Sequence, residues 1–271
     1  MVKRLLACWW LLSAAVWAEP PLTVAVTSSF KPVLEALSEA FTEASGRSFR
    51  LVSASTGVLS QQILAGAPFD IFFAADRTHP QQLLESLDLP TDRIQTYALG
   101  TLVLVTQDPA VKSLADLRDY AGRVIIANPL QAPYGVAADQ ILDQLGYSGT
   151  RVRANNVSQA RQYLSLNLAA VGLTAASVAQ DLPGVQPIDP ALYGVLEQQL
   201  VVLRRSDRTA ALLAFLQTAG AVQVLRDFGY REPGDSEPDY SEPDYREPGD
   251  SEPDYSEPGD SEPDFRAPGQ P

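Results

Sequence analysis

Between residues 22 and 228, apolar runs of strand length alternate with stretches of helical period. This alternation constrains the fold more than any other feature of the chain. Strands are predicted at 22–26, 49–52, 70–74, 101–105, 124–127, 152–154, 170–173 and 200–203. Helices are predicted at 32–44, 58–64, 79–87, 135–145, 158–166, 209–216 and 221–228, several of them stopped by a glycine such as Gly46, Gly66 or Gly146. In the first helix Val33, Leu34, Leu37 and Phe41 share one face, the spacing of a stripe packed on a core. Strand and helix in turn imply an α/β fold, with a mainly parallel sheet and helices on both faces. Residues 19–230 leave room for two such sheets of about 100 residues each, with a cleft between them.

Both ends depart from this pattern. Residues 1–18 read MVKRLLACWWLLSAAVWA: Lys3 and Arg4, then an apolar run of 12, then Val16 and Ala18 at the small-residue positions of a cleavage site. At 1.5 Å per residue that run falls short of a bilayer of about 30 Å. It reads as a secretory signal peptide cleaved after Ala18, with an uncleaved anchor or a buried first helix as the alternative. The Leu5-Leu6-Ala7-Cys8 stretch looks like a lipoprotein box, but only three apolar residues precede Cys8. The expected product is exported, periplasmic and soluble.

From Arg231 the chain repeats every five residues, with Pro at 233, 238, 243, 248, 253, 258, 263 and 268. Proline at that spacing blocks helix and removes ladder donors, and so much charge with so few apolar groups cannot form a core. Residues 231–271 are therefore expected to be a disordered, acidic, partly polyproline-like tail that serves as a spacer or solubiliser. Weak cation or partner binding by its carboxylates is the alternative, since the units lack the fixed geometry of a tight calcium loop.

The charge of the whole chain, −13, belongs to this tail: residues 231–271 hold 14 acids and three Arg, which leaves residues 1–230 near neutral. No clustered positive field exists for a nucleic-acid partner. Cys8 is the only cysteine and His79 the only histidine, so disulfides, thiol chemistry and multi-His or Cys-type metal centres are excluded. No cofactor or resident metal is expected.

In open α/β sheets ligands bind beyond the carboxyl ends of strands, where helix N-termini point. Four strand-to-helix turns here share one chemistry: Thr27-Ser28-Ser29, Ser53-Ala54-Ser55-Thr56-Gly57, Asn128-Pro129 through Pro133-Tyr134-Gly135, and Asn155-Asn156-Val157. Hydroxyls and amides dominate, Lys31 is the only cation nearby, and no acid is present. Ser, Thr and Asn are also ordinary helix caps. Four such turns together suit an anion held by hydroxyls and free backbone N–H groups without a formal positive charge. A partly protonated phosphate needs an acceptor for its P–OH, and a carboxylate ligand favours a bidentate Arg. The turns offer neither, so a fully ionised tetrahedral oxyanion fits best.

The stretches VAVTSSFKPVLEAL, SASTGVLSQQILAGAPFDIFFAAD, YALGTLVLV, IIANPLQAPYG, NNVSQARQYL and AAVGLTAAS carry a resemblance. Over nearly all of residues 20–230 the chain resembles the periplasmic molybdate-binding proteins of ABC transporters. The resemblance implies a two-lobed type II periplasmic binding fold that closes over molybdate or tungstate and delivers it to a membrane permease. It implies oxyanion contacts at Ser29, preceded by Ser28, at Thr56, and at the backbone N–H groups of Tyr134 and Val157. Some members add a tyrosine hydroxyl where this chain has Ala175, so one hydrogen bond is missing from that pattern. The implied lobes are 19–97 with 202–230, and 98–201, crossing near residues 97–100 and 198–201. A monomer is expected.

Rival readings lack parts. A serine hydrolase needs a base beside its nucleophile, and His79, immediately before Pro80, is expected at the surface. Asp70 and Asp76 flank a buried strand and suit an N–H cap or hinge contact better than paired-carboxylate catalysis. A sulfate receptor is the closest competitor, distinguished by cavity size because molybdate and tungstate have longer bonds to oxygen at the same charge.

Overall fold

The structure, a computed structural model, describes residues 20–234. The expected signal peptide and all but the first four residues of the repeat lie outside the described residues. Two five-stranded sheets form. The first contains β1 (Leu22–Thr27), β2 (Phe49–Ala54), β3 (Ile71–Phe73), β4 (Ile94–Gly100) and β10 (Leu196–Val202) in the order β2-β1-β3-β10-β4. The second contains β5 (Leu102–Thr106), β6 (Arg123–Ala127), β7 (Thr150–Ala154), β8 (Val171–Ala175) and β9 (Val185–Pro187) in the order β7-β6-β8-β5-β9.

The helices alternate with the strands. They are α1 (Lys31–Ser45), α2 (Thr56–Leu64), α3 (Thr78–Ser86), α4 (Pro133–Gln144), α5 (Val157–Ser165), α6 (Ala176–Ala179), α7 (Asp207–Leu216) and α8 (Ala219–Asp227). Gly46 takes φ 65° and turns the chain out of α1, a conformation that costs a side chain without a Cβ nothing.

Both faces of each sheet are covered, and the strand period of two shows how. Leu22, Val24, Val26, Ile71 and Phe73 pack with Phe30, Leu34 and Phe41, while Ala25 and Phe72 pack on the opposite face with Leu59 and Leu83. In the second sheet Leu102 and Leu104 face Tyr134 and Ile141, and Val103 and Val105 face Ala160 and Leu164.

Three expectations are corrected. The sheets are mixed rather than mainly parallel: β1 pairs parallel with β2 and β3, but β10 runs antiparallel to both β3 and β4. Likewise β6 pairs parallel with β7 and β8, while β5 runs antiparallel to β8 and β9. The crossings expected at 97–100 and 198–201 fall inside β4 and β10, which pair with each other in the first sheet. The first passage instead lies at Thr101, between β4 and β5, and the second just before Leu196. The reason is that the β4–β10 ladder runs from Ile94 to Gly100, a polar-interrupted stretch without strand alternation. Finally, the fold does not stop at Tyr230. Arg231 and Leu99 exchange both backbone hydrogen bonds, at 2.8 and 3.0 Å, and so tie the start of the repeat to β4.

Candidate functional site

The first turn leaves β1 after Thr27. Ser28 N–H donates to Ala54 O at the end of β2 at 2.9 Å, so the first two turns start side by side. Ser29 follows, fully buried, and its Oγ has no hydrogen-bond partner. In the second turn Ser55 is the N-cap residue of α2 in extended conformation, yet its Oγ caps nothing and is also buried without a partner. Thr56 Oγ1 accepts the Ala75 N–H at 3.1 Å and donates to Thr27 Oγ1 across a long 3.4 Å, a weak bond whose hydrogen a stronger acceptor can take over. Buried polar atoms are normally satisfied, and the serine hydroxyls of these two adjacent turns make no close hydrogen bond.

The turns of the second sheet work differently. Asn128 Oδ1 accepts the Leu130 N–H at 3.1 Å, and Asn156 Oδ1 caps α5 by accepting the Gln159 N–H at 2.9 Å. These amides are ordinary caps, spent on their own backbone. What remains free is main chain. Tyr134 is the second residue of α4 and Val157 the first of α5, both buried, so their N–H groups precede the first intrahelical bond. The N-termini of α1, α2, α4 and α5 add partial positive charge.

Four contacts join the two sets of turns. Gly57 N–H donates to Gln131 O at 3.0 Å. Ser158 Oγ, one residue past Val157, donates to Ser28 O at 3.2 Å. Ser177 Oγ donates to Ser29 O at 2.7 Å. Gln198 Nε2 donates to Tyr134 Oη at 2.8 Å. Ser28, Ser29, Thr56, Tyr134 and Val157 thus come from four separate turns held against one another, with donors and no carboxylate among them.

The formal charges nearby are engaged elsewhere. Lys31 pairs with Glu35 at 2.7 Å on the exposed side of α1. Asp70 Oδ2 accepts the Thr23 N–H at 2.8 Å, at the far end of β1 from the turn. Asp76 accepts the His79 N–H at 3.1 Å and contacts His79 Nδ1 at 2.6 Å. The two carboxylates therefore lie at opposite ends of β3 and do not pair. His79 corrects an expectation: its side chain is only 26% exposed, and it lines a groove with Gly57, Gln61, Leu130 and Gln131 at the seam between the turns.

Comparison with known proteins identifies the family of this double α/β architecture. Residues 22–231 match the family described as bacterial extracellular solute-binding protein. The chain belongs to this family. It is similar to the molybdate-binding protein ModA of Azotobacter vinelandii, 33% identical over 241 residues that cover 83% of this chain and 93% of that one. It is also similar to ModA of Rhodobacter capsulatus, 31% identical over 217 residues, with 76% and 86% covered. The solved structure of the Azotobacter vinelandii periplasmic molybdate-binding protein superposes with a TM-score of 0.71 at 29% identity, covering 78% of this chain and 99% of that one.

Sequence reasoning missed several polar residues behind this family's cleft. Tyr134 and Tyr230 are buried and Tyr97 half-buried, and desolvation, the largest cause in each, pushes their hydroxyls up, that of Tyr230 to about 12. All three stay protonated at neutral pH and can donate. Tyr230 Oη reaches Ser177 Oγ at 3.3 Å, placing the last residue before the repeat directly behind Ser29. Gln198 is fully buried on β10. The glutamine pair Gln198-Gln199 running straight into the apolar Leu200–Val202 was the one available signal, since a buried amide needs partners.

Proposed function

We propose that the chain captures a fully ionised tetrahedral oxyanion, molybdate or tungstate, and delivers it to the permease of an ABC transporter. The observation that carries this reading is the pair of buried, partnerless hydroxyls at Ser29 and Ser55, in a cradle that offers only donors. Ser29 Oγ–H and Thr56 Oγ–H donate from one side, and the N–H groups of Tyr134 and Val157 from the other, with Ser28 beside them. The ligand gains hydrogen bonds to charged oxygen in a desolvated site, where each is worth about 1.5–3 kcal/mol. The identities of 31% and 33% to proteins named for molybdate binding support the choice of anion.

Binding proceeds by closure of the two α/β halves about their crossing segments. The site holds no nucleophile with a base beside it, and it binds its ligand without transforming it. The setting is the periplasm, reached through the expected signal at 1–18. Calorimetry with molybdate, tungstate, sulfate and phosphate tests the reading. Tight binding of the first two with at least hundredfold weaker sulfate, about 2.7 kcal/mol, is the expected result. Sulfate bound as tightly as molybdate would defeat the assignment of the anion.

A further inference from the structure

Behind the cradle runs a hydrogen-bond chain that joins its two sides. It starts at Tyr134 in α4, whose Oη accepts from Gln198 Nε2 at 2.8 Å. Gln198 Oε1 accepts from Tyr97 Oη at 2.8 Å, and Tyr97 Oη also lies 3.0 Å from Ala74 O. The next residue, Ala75, donates its N–H to Thr56 Oγ1 at 3.1 Å. The two ends of this chain, Tyr134 and Thr56, are both assigned to the oxyanion.

The local backbone is shaped around it. The β10–β4 register shifts between Gln198 and Gln199, a local irregularity at which both side chains are buried. Gly100, the last residue before the chain passes to the second sheet, leaves the space that the chain fills. A Cβ there would lie 2.2 Å from Tyr134 Oη and 2.3 Å from Gln198 Nε2. Tyr134 belongs to the second-sheet half, whereas Gln198, Tyr97 and Gly100 belong to first-sheet strands. The Tyr134–Gln198 bond therefore spans the two halves.

We infer that Gln198, Tyr97 and Gly100 form a closure latch: positioning residues that hold the Tyr134 side chain, keep its N–H on the anion and set how long the ligand stays. This rests on the reading of the site given above. The latch acts after closure, so it governs release, the rate through which most affinity differences between related complexes arise.

Tyr134→Phe keeps the backbone N–H and removes the latch hydroxyl. Gln198→Met keeps the volume and removes the amide. Gly100→Ala intrudes on both. Stopped-flow measurement on the full chain should show molybdate release about tenfold faster in each, the upper range for loss of one neutral hydrogen bond. Association should stay within about twofold. Tyr134→Phe with Gln198→Met together should release no faster than Gln198→Met alone, because Gln198→Met already removes the bond the two share. A role confined to stability would instead lower the ligand-free thermal midpoint and leave release unchanged, and that result overturns the latch.

A second readout needs no ligand. Gly57 is the second residue of α2, so its N–H has no intrahelical acceptor and is covered only by Gln131 O of the other half. Hydrogen exchange at Gly57 reports closure directly, and it should quicken in all three variants. If the wild type binds none of the four oxyanions, the reading of the site fails while the Gly57 amide still judges the latch. Unchanged exchange there overturns it, and faster exchange upholds it.

Discussion

The turns of the first sheet and those of the second reach the same end by opposite means. Before α1 and α2 the side chains are largely unspent: Ser29 and Ser55 keep buried hydroxyls without a close hydrogen bond, and Thr56 donates only across a long 3.4 Å to Thr27. Before α4 and α5 the side chains are consumed, with Asn128 and Asn156 bonded to their own turns. There the backbone supplies the donors, at Tyr134 and Val157. Polar residues of the same kinds thus stay largely uncommitted in one half, where we propose that they meet the ligand, and are scaffolding in the other. The practical difference is that donors of the first kind can be deleted by substitution, whereas those of the second survive any replacement except proline.

The largest expected effects test the first half. Ser29→Ala should weaken molybdate binding by about 1.5–3 kcal/mol, and Thr56→Ala by a similar amount. The two separate in the ligand-free protein. Ser29 Oγ makes no close hydrogen bond and only neighbours the Tyr230 hydroxyl, so its removal should leave the thermal midpoint nearly unchanged. Thr56→Ala orphans the Ala75 N–H and should cost about 1–3 kcal/mol of stability as well. Calorimetry and thermal unfolding of both variants check this. Unaltered affinity in both would place the site elsewhere.

Smaller effects are expected in the second half. Asn156→Ala removes the α5 cap and should destabilise by about 1 kcal/mol. It leaves the Val157 N–H in place, so affinity should fall by less than that amount. A loss of affinity at Asn156 as large as at Ser29 would show that the amide itself touches the ligand, and the contrast between the halves would collapse. Titration of Asn156→Ala beside Ser29→Ala gives the answer.

This contrast also explains what the sequence made legible. The four turns were visible because Ser, Thr and Asn cluster where strands end, and helix periodicity placed α1, α4 and α5 to within a residue or two. Which of those residues are spent was invisible, since Asn156 as a cap and Ser29 as an orphan differ only in their neighbours in space. β4 was missed because Gln95, Thr96 and Tyr97 interrupt its apolar pattern. Those polar residues are tolerated because Thr96 meets Glu197 Oε1 at 2.5 Å and Tyr97 meets Gln198, partners about a hundred positions away. The crossings shifted for the same reason, as β10 begins at Leu196 rather than at residue 200. His79 read as a surface residue from its place before Pro80, and only the approach of α2 to the Gln131 loop makes it part of a groove.

A pH titration probes the cradle as a whole. None of Ser29, Thr56, Tyr134 or Val157 offers a group that titrates near neutrality, so affinity should be flat between about pH 6 and 8. A steep slope there would implicate His79 at the seam. The tyrosines act at alkaline pH instead. Tyr230 is raised from 10.0 to about 12 by burial, so above pH 10 the unfolded chain gives up its proton while the folded chain keeps it. Stability is then full below pH 10 and is lost as pH rises toward about 12. Chemical denaturation at pH 9, 10 and 11 should show a falling midpoint. Tyr230→Phe should flatten that decline, and an unchanged slope would mean that Tyr230 is not held neutral by the fold.

The smallest effect is expected from the acidic repeat. Removal of residues 235–271 takes away 13 acids and two Arg, a net charge of −11. It leaves the Arg231–Leu99 bonds in place, and with them the anchor of Tyr230 behind Ser29. Oxyanion affinity should therefore stay within about a factor of two. An anionic repeat repels an anionic ligand rather than recruiting it, but beyond a Debye length of about 8 Å at physiological salt that repulsion is largely screened. Association should quicken slightly on truncation at low salt and hardly at all at about 0.15 M. A cut after Tyr230 is the informative contrast, because it also removes the Arg231 bridge to the strand that carries Tyr97 and Gly100. Release should then accelerate where the longer truncate shows no change. Stopped-flow rates for the two truncates at two salt concentrations decide the matter, and a large loss of affinity already at the longer one would show that the repeat contributes to the cleft.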